Sequence, residues 1–465
     1  MDTKETICAI ATSPGVGAIA VLRISGEESI EIIDKLAQFP NPAKALTKVA
    51  PNTLHYGTIV DGDTIIDDVV FSAFHGPRSF TGENSVEISC HGSTYIQQKI
   101  LELLIRNGAR LAKPGEFTMR AFLNGKMDLS QAEGVADVIA SGTAASHELA
   151  INQMRGGFSN SLSEVREELL RLVSLIELEL DFSEEDVEFA DRTQLNSIVS
   201  TIDGIVGSLI ASFSFGNAVK EGVPVAIIGN TNAGKSTLLN ALLRDDKAIV
   251  SEIAGTTRDI IEDTFIIEGV QFRFIDTAGI RQTSDSIEQE GINRAIQRSL
   301  KARIVLLVID IEESDSELQR IADTINESGI KKENIILLIN KTDLVKQQSE
   351  AIKRIIAYFP NTPHDAISAK TKINIASVEQ SMLEIVNADV PENQDVIVTN
   401  TRHYEALIKA KEAIDRIKEG IESQIPSDLI SLDIRQVLHY LGEITGEITN
   451  DEVLGNIFKN FCIGK

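Results

Sequence analysis

The sequence predicts a multidomain α/β plus α protein that contains a doubly wound α/β domain. Three observations predict it. The stretch Gly229-Asn230-Thr231-Asn232-Ala233-Gly234-Lys235-Ser236 fits the spacing G-x-x-x-x-G-K-[ST] between an apolar run, Val223 to Ile228, and a helix-like run from Thr237 to Leu243. Residues 1–125 hold short β-rich runs broken by Gly and Pro clusters. Helical spacing fills the chain before this motif, from Leu129 to Phe213, and returns after Ala388.

Bulk properties narrow the function classes. A length of 465 residues predicts two to four domains, and 43% hydrophobic residues can fill several cores. A net charge of −25 argues against a general polyanion binder, so any nucleic-acid contact must be local or supplied by a partner. Cys8, Cys90 and Cys462 form no C-x-x-C pair and suggest no disulfide framework, which fits a reducing compartment. No run of 18 apolar residues predicts a membrane span, and Met1 to Glu5 lacks a basic segment followed by an apolar one. A cytoplasmic protein with no membrane partner is the expectation.

In the first 125 residues, strands are expected over Thr6–Ala11, Ala18–Ile24, Leu54–Val60, Ile65–Phe74 and Val86–Cys90. Helices are expected around Ile30–Ala37 and Ile96–Leu104, the second stopping near Asn107-Gly108. Arg23 ends an apolar strand, and Lys126 follows the turn Asn124-Gly125. Period-2 alternation puts Glu87 on one face with Ser85 and Ser89, opposite Val86 and Ile88. From spacing alone these three charges read as solvated surface or as a binding set.

The middle is helical. A long helix is expected over Ala144–Leu180 and another over Gln194–Ile210, with Phe213-Ser214-Phe215-Gly216-Asn217 breaking the pattern. Residues 164–191 carry eleven Asp/Glu against two Lys/Arg, which reads as a solvated acidic face and disfavours RNA there.

The nucleotide domain then shows ordered signals. Glycines let backbone N–H groups curl around phosphate oxygens, and the following helix N-terminus adds partial positive charge. Lys235 can reach the β- and γ-phosphates, and Ser236 can ligate Mg²⁺. Gly255-Thr256-Thr257-Arg258-Asp259 offers a threonine hydroxyl for Mg²⁺. Asp276-Thr277-Ala278-Gly279 follows an expected strand, Gln271 to Ile275; Asp276 suits the Mg²⁺ surroundings and the Gly279 N–H suits the γ-phosphate. Asn340-Lys341-Thr342-Asp343 ends the strand Ile335 to Ile339. The Asp343 carboxylate can accept from the N1 and N2 donors of guanine, a pair that adenine lacks. Ser368-Ala369-Lys370 would back the base. Where Ras-type GTPases place a water-orienting glutamine, this chain has Ile280, so water must be positioned from elsewhere or by another chain. Glu288 is a candidate for that role, or a solvated loop carboxylate.

After Ala388, helices are expected over Tyr404–Ile421 and Leu429–Leu441. A capping box, Thr449-Asn450-Asp451-Glu452, precedes a stripe of Val453, Leu454, Ile457, Phe458 and Phe461. Cys462 beyond it reads as a nucleophile or as a small buried hydrophobe.

These residues carry a resemblance. Phe461-Cys462-Ile463-Gly464-Lys465 behind the GTPase signals resembles the MnmE (TrmE) family of tRNA-modification GTPases. Leu22-Arg23-Ile24-Ser25-Gly26, Ser79-Phe80-Thr81-Gly82-Glu83, Lys113-Pro114-Gly115-Glu116-Phe117, Ala121-Phe122-Leu123-Asn124 and Ile253-Ala254-Gly255-Thr256-Thr257-Arg258-Asp259 are similar to its other motifs. The likeness spans nearly the whole chain.

The resemblance implies an N-terminal α/β folate-binding and dimerisation domain (1–125), an all-α domain in two parts (126–216 and 388–465), and a Ras-like G domain (217–387) inserted between them. It implies a homodimer that works with MnmG in a heterotetramer or larger complex and meets tRNA through it. Together they would add an aminomethyl or carboxymethylaminomethyl group to C5 of the wobble uridine, taking the one-carbon unit from a tetrahydrofolate such as 5-formyl-tetrahydrofolate. Folate contacts would fall on Arg23, Glu87, Lys126 and Lys465. GTP contacts would fall on Asn232, Ala233, Gly234, Lys235, Ser236, Thr237, Ser251, Glu252, Ile253, Ala254, Gly255, Thr256, Thr257, Asp276, Thr277, Ala278, Gly279, Asn340, Lys341, Asp343, Ser368, Ala369 and Lys370. Mg²⁺ would take Ser236 and Thr257; K⁺ would take Asn232, Ser251, Ile253 and Thr256. Catalytic roles would fall on Glu288, Lys235 and Cys462. Many members have proline at Thr231 and threonine at Ser251; serine keeps the oxygen. A regulatory GTPase of ribosome assembly is the alternative, and it predicts a basic RNA module that this acidic chain lacks.

Overall fold

A computed structural model of the chain describes residues 5–181, 192–243, 263–275, 300, 302–387, 396–449, 451–459 and 461–464. Two compact units divide it: Met1–Ala140 with Ala150–Val199 and Glu412–Lys465, and Ser141–Leu149 with Ser200–Lys411.

The first unit opens with a seven-stranded sheet of β1 (Ile7–Ile10), β2 (Ile19–Ser25), β3 (Ala37–Gln38), β4 (Thr53–Asp61), β5 (Thr64–Phe74), β6 (Ser85–His91) and β7 (Arg110–Leu111). Its order is β3-β4-β5-β6-β2-β1-β7. The β1–β7 pair is parallel and the others are antiparallel. Leu22, Ile24, Val69, Phe71, Val86 and Ile88 form one core with Ile30 and Ile33 of α1 (Ser29–Leu36) and Ile100, Leu103 and Leu104 of α2 (Thr94–Arg106). The alternate residues face away from that core. Register puts Arg23 opposite Glu87, Glu87 opposite Ser72, and Ser72 opposite Leu54. The alternation expected at Glu87 is therefore the pleat observed.

Helices α3 (Glu116–Leu123), α4 (Leu129–Ala140), α5 (Ala144–Met154), α6 (Gly157–Asp181) and α7 (Arg192–Glu221) follow. Two expectations are corrected here. The continuous helix over Ala144–Leu180 is two helices, because Gly156 turns the chain at φ +88°. The break expected at 213–217 is absent: α7 runs through it. Gly216 keeps the helix and permits close packing, since a Cβ there would strike the Val398 carbonyl. Phe213 stacks on Tyr404 with ring centroids 4.2 Å apart. Leu195–Glu221, within α7, is long and apolar enough by length and composition alone to cross a membrane, where no such run was expected. Its Ile202, Val206 and Leu209 are buried, and its Asp203 pairs with Lys411 at 2.8 Å. Packing covers 33% of that apolar window.

The second unit holds a six-stranded sheet of β8 (Val223–Ile228), β9 (Thr264–Ile267), β10 (Val270–Phe274), β11 (Ile304–Asp310), β12 (Ile335–Asn340) and β13 (His364–Ala366). Its order is β13-β12-β11-β8-β10-β9, parallel except for the β9–β10 hairpin. Helices α8 (Lys235–Leu243), α9 (Asp315–Ser328), α10 (Gln348–Ile356) and α11 (Ile375–Asn387) belong to it, and α12 (Thr401–Glu422) follows. Near-continuous apolar strands such as Ile335–Ile339 are buried on both faces, as a doubly wound sheet requires. Two core clusters, one containing Leu238, Leu306 and Val378 and one containing Leu307, Ile321 and Ile355, fill the two sides. Helices α13 (Ser427–Thr445) and α14 (Asp451–Phe458) close the first unit. Leu454 and Phe458 pack with Met119, Leu129 and Ala132, and Ile457 and Phe461 pack against them, whereas Val453 of the expected stripe is exposed.

Candidate functional site

The carboxyl ends of parallel strands and the loops that leave them are where an open α/β sheet receives ligands. β8 ends at Ile228, and Gly229–Gly234 turn the chain into α8. Gly229 has φ +149°, Asn232 +65° and Gly234 +100°. A Cβ at Gly229 would collide with the Val308 carbonyl, and one at Gly234 with Asn340 Nδ2. Both glycines are thus required by space as well as by φ. Lys235 Nζ donates to the carbonyls of Gly229 and Asn230 at 2.9 and 2.8 Å. Burial lowers the pKa of its ammonium. The result is a loop wrapped around a lysine at a helix N-terminus, a shape that suits an anionic phosphate chain.

The neighbouring strand end joins this loop to a second one. Asn340, 2% exposed, donates Nδ2 to the Ala233 carbonyl at 2.8 Å and accepts the Ala369 N–H at 3.0 Å. Lys341 takes φ +66°, and its Nζ meets Asp310 Oδ2 at 2.6 Å. The Asp343 carboxylate accepts the Ser368 hydroxyl at Oδ1, 2.6 Å away, and Ser368 in turn accepts Thr371 Oγ1 at 2.7 Å. Asn340 thus ties Ala233 to Ala369, with Asn232, Gly234 and Lys235 on the loop beside Ala233 and Lys341, Asp343 and Ser368 on the second loop pair. Asp343 carries a fixed carboxylate with the acceptors a guanine edge needs. Thr237 and Lys370 lie exposed near the two loops.

No cluster of three or more His, Cys, Asp or Glu able to hold a metal occurs among the described residues. The donors offered here are hydroxyls and amides: Ser236 at the start of α8, and Asn232, exposed at the loop crest on left-handed backbone. That set fits Mg²⁺ shared with phosphates, and an amide oxygen fits K⁺. Ser251, Glu252, Ile253, Ala254, Gly255, Thr256, Thr257, Asp276, Thr277, Ala278, Gly279, Glu288 and Lys465 lie outside the described residues.

A second constellation lies on the seven-stranded sheet. Arg23 Nε and Nη2 donate to Glu87 Oε1 at 2.9 and 2.7 Å, and Nη1 reaches the Gly464 carbonyl at 3.4 Å. Phe80 and Phe117 flank the guanidinium, with ring centroids 5.4 and 5.6 Å away. The Gly115 N–H donates to the Cys462 carbonyl at 3.3 Å, which seats the Cys462–Gly464 segment beside the sheet. Lys126 is placed apart from the pair: its Nζ donates to the Pro77 carbonyl at 3.0 Å. Cys462 is exposed, whereas burial raises the Cys8 and Cys90 thiols to about 12 and about 11. Neither buried thiol supplies a thiolate near neutral pH.

Reasoning from sequence missed the groups that hold these sites. Arg120, 1% exposed, donates to both Glu83 oxygens at 3.2 Å, to Glu116 Oε1 at 3.1 Å and to the Glu5 carbonyl at 2.8 Å. Glu83 also accepts the Ser25 hydroxyl at 2.8 Å, so the 79–83 loop is held on two sides. Asp310 was missed as well; its signal is its place at the end of an apolar run that reads as a strand.

Known proteins match along the whole chain. The family model described as the MnmE helical domain matches residues 129–462, and that of the GTP-binding protein TrmE N-terminus matches residues 6–126. A tRNA modification GTPase MnmE of Bacteroides thetaiotaomicron is 51% identical over 99% of this chain and 100% of its own length. That of Flavobacterium psychrophilum is 51% identical over 100% of both, and that of Cytophaga hutchinsonii is 50% identical over 99% and 98%. The solved G domain of the T. maritima FeoB iron transporter is 22% identical over 35% of this chain and 98% of its own, with a TM-score of 0.25, too low to carry an argument.

Proposed function

The chain belongs to the MnmE family of tRNA modification GTPases, and from that premise we propose that it is a K⁺-dependent GTP hydrolase that works with MnmG on the wobble uridine of tRNA. The product carries an aminomethyl or carboxymethylaminomethyl group on C5, with the one-carbon unit taken from a tetrahydrofolate. GTP hydrolysis itself belongs to the family's activity. The partner, the cation and the folate are the added reading.

The nucleotide roles are read from the geometry above for the described residues and from the family's motifs for the rest. Lys235 and the Gly229–Gly234 backbone bind phosphate. Asp343, held by Ser368, selects guanine by hydrogen-bond pattern. Asn340 keeps the phosphate side and the base side in register. Ser236 and Thr257 would hold Mg²⁺; Asn232, Ser251, Ile253 and Thr256 would hold K⁺. Bound there, the cations would supply positive charge to the phosphates. Glu288 orients water in place of the glutamine that Ile280 replaces.

One observation supports the folate reading above the others: Arg23 holds Glu87 and the Gly464 carbonyl together. A pterin ring needs a carboxylate to accept its N–H edge, and Glu87 presents one whose orientation Arg23 fixes. Lys126 and Lys465 supply charge for the anionic tail, and Cys462 lies on the same terminal segment. The homodimer uses the open sheet face, where Ile19, Leu54, Tyr56 and Val70 are exposed on the same side as Arg23 and Glu87.

Nucleoside analysis of tRNA from cells lacking this gene tests the proposal. Loss of the C5-modified wobble uridine, restored by the wild-type chain but not by Lys235→Ala, is expected. Unaltered tRNA in the deleted strain would overturn it.

A further inference from the structure

The first variable residue of the phosphate loop is gripped by charged groups that no nucleotide motif contains. Asn230 Nδ2 donates to Glu313 Oε2 at 3.0 Å and to Glu317 Oε2 at 3.3 Å. Its Oδ1 accepts from Arg320 Nη2 at 3.3 Å. Arg320 also holds Glu317 through Nε and Nη2 at 2.9 and 2.7 Å. Both ends of the carboxamide are engaged, so it cannot rotate without losing partners on two sides. The Asn230 main chain matters equally. Its carbonyl accepts Lys235 Nζ at 2.8 Å and the Ala233 N–H at 3.3 Å.

The carboxylates come from one short segment. Asp310, at the end of β11, pairs with Lys341 on the base side at 2.6 Å. Glu313, in the loop before α9, and Glu317, in its first turn, take Asn230 on the phosphate side. Arg354 of α10 donates to the Glu313 carbonyl at 2.7 Å, and the Ser314 hydroxyl caps α9 by accepting the Glu317 N–H. Residues 310–317 are thereby pinned from outside while touching both loops of the site.

We infer that Asn230 is a positioning residue for the hydrolase: Glu313, Glu317 and Arg320 fix its carboxamide, its carbonyl fixes the Lys235 ammonium, and segment 310–317 joins that lysine to Lys341. The inference rests on residues 229–236 being the phosphate cradle. The device governs how long nucleotide stays bound. Its main effect is on retention, because its side chains reach Lys235 only through the Asn230 main chain.

The test measures displacement of a fluorescent GDP analogue from full-length Asn230→Ala, Glu317→Gln, the double variant and Lys235→Ala, with single-turnover hydrolysis of bound GTP alongside. Each of the first two variants should release GDP roughly tenfold faster, the size of one lost charge-assisted hydrogen bond acting through the main chain. The double variant should release it no faster than either single one, because the two residues form one unit. Hydrolysis of bound GTP should slow by a smaller factor than release quickens. Wild-type release in both single variants, fully additive effects, or hydrolysis slowed in step with release would each overturn the inference. Loss of nucleotide in Lys235→Ala beside wild-type behaviour in Asn230→Ala would leave the cradle standing and sink the positioning role. Wild-type affinity in Lys235→Ala would sink the cradle itself.

Discussion

Asn340→Ala is the sharpest probe of the nucleotide site. The side chain makes two hydrogen bonds, to the Ala233 carbonyl and from the Ala369 N–H, and all three residues are at most 3% exposed. Water cannot replace it without opening the loops. Each bond contributes about 0.5–1.5 kcal/mol net, and each buried backbone group left unpaired raises the loss to about 1–3 kcal/mol. The sum is about 2–6 kcal/mol. Part of it weakens the free protein too, so only about 2–3 kcal/mol should appear in affinity, which is roughly 30- to 150-fold in Kd.

Thr342→Val is the matched control. Thr342 sits at the same strand end, is 4% exposed, and donates its hydroxyl to the Ile367 carbonyl at 3.0 Å, but its side chain has no bond to the phosphate loop. It should lose about 1–2 kcal/mol of stability and leave GDP affinity within about threefold. Titration with a fluorescent GDP analogue reads the affinities, and thermal melts read the stabilities. Wild-type affinity in Asn340→Ala, or equal weakening in Thr342→Val, would refute the claim that Asn340 couples the two loops.

Three further outcomes are expected. GTP turnover should be faster in K⁺ than in Na⁺, and Asn232→Ala should abolish the difference; equal rates for the wild type in the two salts would remove the cation assignment. Arg23→Ala should lose 5-formyl-tetrahydrofolate binding in a calorimetric titration because Glu87 is no longer oriented, and retained affinity would take Arg23 out of that site. Burial alone would raise the Glu116 carboxyl, but the hydrogen bonds and charge of Arg110, with the Lys113 N–H and Arg120, hold it at about 2 against an ordinary 4.5. A lowered folded-state pKa means its stabilisation is complete above about pH 4.5 and is lost as pH falls towards 2. Hydrogen-exchange protection of α3 should fall through that window and lose its pH dependence in Glu116→Gln; an identical profile in the variant would refute the linkage.

How much of this was legible in sequence follows from the range of each interaction. The phosphate loop was legible because strand, glycines, lysine and helix are contiguous, and its physics is local backbone chemistry. Strand faces were legible because the pleat has period 2, which put Glu87 on the right side of its strand. Pairing was not: nothing in the sequence sets Arg23 against Glu87, 64 positions away, until register is known. Gly216 was misread because a glycine in a helix looks like a break from sequence, whereas here it is the price of a close approach to Val398. Gly156-Gly157 did break a helix, and the apolar periodicity running through it hid the fact. Arg120 escaped notice for the opposite reason. Its neighbours Phe117, Met119 and Ala121 are buried, and a cation among them is stabilised by Glu116 one turn back on the same helix and by Glu83 from a loop 37 positions away. The residues proposed for chemistry therefore stand out by type and spacing, while those that hold them, Asn230, Asp310 and Arg120, are defined by partners brought together in folding. The same division predicts where substitutions will mislead. A change at Arg120 should act on the Arg23 site by releasing the 79–83 loop through Glu83, although Arg120 has no bond to Arg23 or Glu87.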